Sequence, residues 1–87
     1  MEATKEDLLN RLRRIEGQIK GIHKMIDNEQ TCNDILIQIS AVKAAINMVG
    51  GLVLETYSKK CIKKAIVDGD SDENIEHLID TIIKYTK

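Results

Sequence analysis

The chain has 87 residues, a formal net charge of −1, two cysteines, no proline, and no phenylalanine or tryptophan. Such a length predicts one domain, residues 1–87, whose core must be aliphatic and is best supplied by Ile, Leu and Val on packed helices. No Ser/His/Asp set, pair of catalytic acids, phosphate loop or Cys-x-x-Cys motif is present, so an enzyme reading has no residues to rest on.

The opening MEATKEDLL has neither a basic n-region nor an apolar h-region, which predicts no signal peptide and a cytoplasmic protein. No uninterrupted apolar run approaches the roughly 18 residues of a membrane span, so no membrane partner is expected. Thr4 followed by Asp7 predicts an N-cap with an acidic first turn. A first helix follows, with Leu8, Leu12, Ile15, Ile19, Ile22 and Ile26 on one seam, ending near Asp27-Asn28. The short link Asn28-Glu29-Gln30 turns the chain back as an antiparallel helical hairpin. Thr31 with Asp34 opens a second, longer helix running to about Ala65. Its seam is Cys32, Ile35, Ile39, Val42, Ile46, Val49 and Val53, a 3.5-residue repeat that keeps one apolar edge toward a partner helix. Asp68-Gly69-Asp70 is a stop signal, and Asp70 or Ser71 caps a third helix with Ile75, Leu78, Ile79, Ile82 and Ile83 on one face. Three apolar faces on so short a chain predict an oligomer.

Two glycine pairs oppose helix propensity. Gly17 and Gly21 in the first helix fit either close packing by another helix or close approach of backbone to phosphate. Gly50-Gly51 in the second fits either a kink or a close helix crossing.

Charge is divided along the chain. Between Leu8 and Ile26, five cations (Arg11, Arg13, Arg14, Lys20, Lys24) face one acid. Lys43 and four lysines around Cys61 make the second helix basic as well, while the stretch from Asp68 onward is acidic. On a helical wheel Arg13, Lys20 and Lys24 surround Gly17 and Gly21, opposite the apolar seam. This is either a solvated face or a surface for a polyanion. Stacking aromatics for single strands and a recognition-helix signature are both missing.

Cys32 lies in a first helical turn, where the helix dipole favours negative charge, and Cys61 lies in Lys59-Lys60-Cys61-Ile62-Lys63-Lys64. Each cysteine alone also fits a small buried hydrophobe. The two are 29 positions apart, roughly 43 Å on a continuous helix at about 1.5 Å per residue, so thiols that act together must do so between antiparallel chains. His23 and His77 are the only histidines, and each fits a partly exposed helix residue.

The blocks RLRRIEGQIKGI (11–22) and QISAVKAA (38–45), together with Met25-Ile26, Cys32, Cys61 and IEHLID (75–80), resemble the copper-sensitive operon repressor (CsoR/RcnR) family over essentially the whole chain. The resemblance implies an all-α, three-helix fold, an antiparallel helical-bundle dimer that assembles into a tetramer, and a repressor of double-stranded operator DNA released by an inducer bound across the dimer. Arg11 matches the family's basic position in the first helix. Arg13, Arg14, Lys20, Lys24 and Lys43 are DNA-contact candidates by charge and position.

Copper sensors of the family place a His four residues before the second Cys. Here that position is Tyr57, and phenol is a poor Cu(I) ligand. His77 stands where those sensors tend to carry Glu. The formaldehyde branch uses an N-terminal Pro, which this chain lacks, and the His set of the nickel/cobalt branch cannot be assembled. A Cys/Cys pair without the His is similar to the persulfide-sensing, CstR-like branch. The expectation is therefore a repressor that senses reactive sulfur or oxidants through Cys32 and Cys61, with Tyr57 lining the pocket and no cofactor required. The alternatives are a Cu(I)-responsive repressor using Cys32 and Cys61 as metal ligands, and, from other classes, a small metal- or sulfur-binding carrier or a helical adaptor with no DNA role. Operator binding separates the repressors from the rest.

Overall fold

A computed structural model describes residues 3–68 and 71–86, with the side chains at 68, 71, 72 and 74 outside the described set. The chain is all-helical, in the order α1 (Lys5–Asp27), α2 (Cys32–Asp68) and α3 (Ser71–Thr86), with no strand among the described residues. The expected Gly69-Asp70 stop and the cap of α3 lie outside the described residues and side chains.

Each predicted boundary at the start of the chain has a visible cause. Thr4 caps α1 as half of a capping box: its Oγ1 accepts from the Asp7 backbone N–H at 3.1 Å, and its own N–H donates to Asp7 Oδ2 at 3.1 Å. The Thr4 backbone N–H first, and then the Thr4 side chain, hold the Asp7 carboxyl below its ordinary value. At the other end of α1, Gln30 N–H donates to Met25 O and Glu29 N–H to Ile26 O, both at 3.0 Å, while Glu29 sits in the left-handed region at φ 55°. This is a Schellman stop, normally made with Gly or Asn at the left-handed position, so Glu29 carries strain there. Thr31 then caps α2, its Oγ1 accepting from Asp34 N–H at 3.3 Å and its carbonyl accepting from Ile35 N–H at 3.1 Å.

The chain divides into two compact units, Ala3–Leu52 and Val53–Lys87. The first is the α1 hairpin with the leading half of α2, and its core is Ile15 and Val49, with Leu8, Leu12, Ile22, Met25, Ile35 and Val42 half-buried around them. The second is the trailing part of α2 with α3, and its core is Ala65 and Leu78. The expected seams are only half covered. On α2, Ile35, Val42 and Val49 face inward, while Ile39 and Ile46 in the first unit and Val53 in the second remain exposed. On α1, Ile19 and Ile26 are exposed; on α3, Ile75, Ile79 and Ile83 are. A 3.5-residue repeat offers two alternating rows, and a single partner helix covers one of them.

Helix α2 runs to Asp68, past the expected end near Ala65, and its helical pattern is unbroken through Gly50-Gly51. Counted by hydropathy rather than by uninterrupted runs, an 18-residue window within Cys32–Val67 reaches a mean of 1.6, so α2 is long and apolar enough to cross a membrane by length and composition alone. Contiguous apolar runs understate it because single polar residues break them. The same composition serves a helix covered on several sides by other helices.

Candidate thiol site and basic surface

Cys32 and Cys61 are both free thiols on α2. Cys32 is the first residue of the helix, exposed, directly after the Thr31 cap, where unpaired backbone N–H groups favour an anion. Cys61 is half-buried in the second unit. Of the four lysines around it, Lys59 lies 3.4 Å from Glu55, so part of its charge is met within the helix.

Tyr57 stands one turn before Cys61, which puts both on one face of α2. Its hydroxyl donates to the Cys61 sulfur and also meets the Thr81 hydroxyl from α3. The Cys61 contact, the larger effect, raises the phenol above its ordinary value, against a smaller opposite pull from Thr81. The Tyr57 ring meets the His77 ring edge-on, with centroids 6.5 Å apart and planes at 66°. Thr81 Oγ1 donates to the His77 carbonyl at 2.9 Å, tying that turn of α3 together. Tyr57 is therefore bordered by Cys61 on its own helix and by His77 and Thr81 on α3. Thr81 had no sequence signal of its own, whereas His77 stood out as one of two histidines at the position where the family's copper sensors tend to carry Glu.

Donor chemistry decides what this cluster can hold. Thiolates suit Cu(I), and phenol does not. Among the described residues no group of three or more His, Cys, Asp or Glu side chains converges within one chain. The thiol pair therefore fits Cu(I) by ligand type but does not make a complete site in a single chain.

The six cations expected to meet DNA lie on α1 and α2. Arg11 and Arg14 line a depression of about 220 Å³ with Ile15, Gln18 and Ala45. Lys20 and Lys24 line another, of about 380 Å³, with Ile19 and His23. Arg13 Nη1 donates to Asn10 Oδ1 at 2.6 Å, and Lys43 is exposed on α2, lining neither depression. Gln18 and His23 were not among the expected contacts, although their spacing from Arg14 and Lys20 placed them on the same faces. Among the described residues, nothing lies within 4 Å of where a Cβ would stand at Gly17 or Gly21.

The sequence matches the family of metal-sensitive transcriptional repressors over residues 4–84. It is 46% identical over 83 residues to the copper-sensing transcriptional repressor CsoR of Bacillus subtilis, covering 95% of this chain and 82% of that protein. Its fold is similar to the crystal structure of the copper-sensing repressor CsoR with Cu(I) from Geobacillus thermodenitrificans, with a TM-score of 0.86, 40% identity, and coverage of 100% of this chain and 94% of that one. It is also similar to the nickel-responsive transcriptional regulator InrS, with a TM-score of 0.87, 30% identity, and coverage of 98% and 96%. These likenesses favour the copper alternative over the expected reactive-sulfur reading.

Proposed function

Because the chain belongs to the family of metal-sensitive transcriptional repressors, the CsoR/RcnR repressors, we propose that it represses transcription by binding double-stranded operator DNA and that Cu(I) is the inducer that releases it. The observation that carries this is the full-length likeness to a copper-sensing repressor, with both cysteines present on the long central helix. Cys32 of one copy and Cys61 of another form the thiol pair, since the two stand 29 positions apart on one helix. The apolar rows left exposed on all three helices supply the dimer and tetramer contacts. Arg11, Arg13, Arg14, Lys20, Lys24 and Lys43 meet phosphate, with support from the two depressions that Arg11/Arg14 and Lys20/Lys24 line. A protein that acts on operator DNA works in the cytoplasm.

Reactive-sulfur sensing is the second reading, favoured by one observation: Tyr57, hydrogen-bonded to Cys61, occupies the position where the family's copper sensors carry a ligand His. In that reading the Cys32 thiolate attacks the persulfide or oxidant first, and Cys61 of the other chain resolves the adduct. Mass spectrometry after exposure to Cu(I), persulfide and peroxide tests the two. The copper reading expects a non-covalent Cu(I) adduct at one ion per subunit, abolished by Cys32→Ser or Cys61→Ser. A disulfide or polysulfide bridge between subunits with no retained Cu(I) overturns it in favour of the second.

A further inference from the structure

The thiol pair leaves one question at position 57 unanswered: two sulfurs are present, and the helix position next to Cys61 that should offer a nitrogen offers a phenol. The cluster around Tyr57 answers it from the other helix. Its hydroxyl touches Cys61, and its ring touches the imidazole of His77 on α3, so one tyrosine side chain borders both groups. His77 is exposed, and no hydrogen bond to its ring nitrogens is found among the described residues. The hydrogen bond from Thr81 goes to its backbone carbonyl, which leaves the ring available. The other histidine, His23, belongs to the first unit, and Cys61 to the second.

We propose that His77 supplies the imidazole ligand of the Cu(I) site, beside Cys61 of its own chain and Cys32 of a second copy, in place of the nitrogen that position 57 lacks. This rests on the copper reading above. Thiolate and imidazole are both good Cu(I) donors, and the two thiols release their protons to solvent as the ion binds while the imidazole binds neutral. Tyr57 is not a ligand. Its phenol remains a hydrogen-bond donor to the Cys61 sulfur, the kind of outer contact that fixes a ligand's orientation. The arrangement also makes α3 a direct reporter of the metal, because the imidazole comes from that helix and not from α2.

The test is X-ray absorption at the copper edge, with Cu(I) affinity from chelator competition, on full-length wild type, His77→Ala, His77→Gln and Tyr57→Phe. Wild type should show three-coordinate copper with two sulfurs and one imidazole nitrogen. Both His77 variants should fall to two-coordinate sulfur-only copper, with affinity lower by roughly tenfold or more, since even outer-contact losses commonly cost about 10–100-fold. Tyr57→Phe should keep the nitrogen. A wild-type spectrum with two sulfurs only, or an imidazole signal that survives in both His77 variants, overturns the role of His77 and leaves the copper reading standing. Wild type that retains no Cu(I) at all overturns both.

Discussion

Tyr57 and Asp7 are each shifted chiefly by one neighbour, Cys61 and Thr4, so their titrations read out local geometry. The Cys61 sulfur holds the Tyr57 phenol above its ordinary range. In a Tyr85→Phe background, the ultraviolet titration of Tyr57 should therefore move down toward the ordinary range on Cys61→Ala; an unchanged titration would show that the hydroxyl does not meet the sulfur. By linkage, a raised phenol contributes stability that is fully present below its unfolded value and is lost as pH rises through the folded one. Asp7 has the opposite sign. Its carboxyl is held below 3.8 by the Thr4 backbone and side chain, so the stability it contributes is present above that value and is lost as pH falls through the lower folded one. Carbon-13 NMR of the Asp7 carboxyl should show the depressed midpoint, and Thr4→Ala should raise it. At this scale the sequence was partly legible. The pairing of Tyr57 with Cys61 follows from helical spacing, whereas His77 and Thr81 come from another helix, and their arrival depends on packing that no local pattern encodes.

Both ends of α1 and the start of α2 were legible in the sequence, the starts through the caps at Thr4 and Thr31, but the way the backbone stops α1 was not. The stop of α1 uses Glu29 at φ 55°, and nothing in Asn-Glu-Gln signals a left-handed residue. Glu29→Gly should accordingly raise stability by about 1 kcal/mol in thermal or urea unfolding, because a left-handed non-glycine residue costs roughly 1–2 kcal/mol that glycine does not. Loss of stability would mean that the Glu29 side chain contributes more than its strain costs. The helix interiors allow a second test. Gly17 and Gly21 have open space where a Cβ would stand. Alanine at either should stabilise the folded chain by up to about 1 kcal/mol. If operator affinity falls while stability rises, the glycines serve close approach to phosphate, and if the assembly dissociates instead, they serve packing between copies. Helix α2 shows the limit of pattern reading. Its heptad was plain in the sequence, but which of its two apolar rows would be covered within the chain depends on where α1 lies.

Across the whole molecule, the exposed apolar rows and the divided charge both fit the proposed repressor, an assembly built on helix faces with cations left for DNA. The family was legible from two sequence blocks, but the inducer was not. A single Tyr at position 57 pointed toward sulfur chemistry, while the full-length likeness favours copper. Sedimentation at micromolar concentration should show a dimer or larger species, and Ile46→Glu, which puts a charge on an exposed apolar row of α2, should shift it toward monomer. Arg11→Ala with Lys20→Ala should weaken operator binding evenly across sequences and flatten its salt slope by about 2, one per lost phosphate contact; an unchanged slope would move the DNA surface elsewhere. The central claim is tested most directly by fluorescence anisotropy of an operator duplex, recovered by selection from random DNA, titrated with the reduced protein with and without one equivalent of Cu(I) per subunit. The account predicts specific binding by the metal-free protein and at least about tenfold weaker binding once Cu(I) is loaded, within the usual range of coupling between two sites. Equal operator affinity with and without bound Cu(I), or no specific DNA binding in either state, would contradict it.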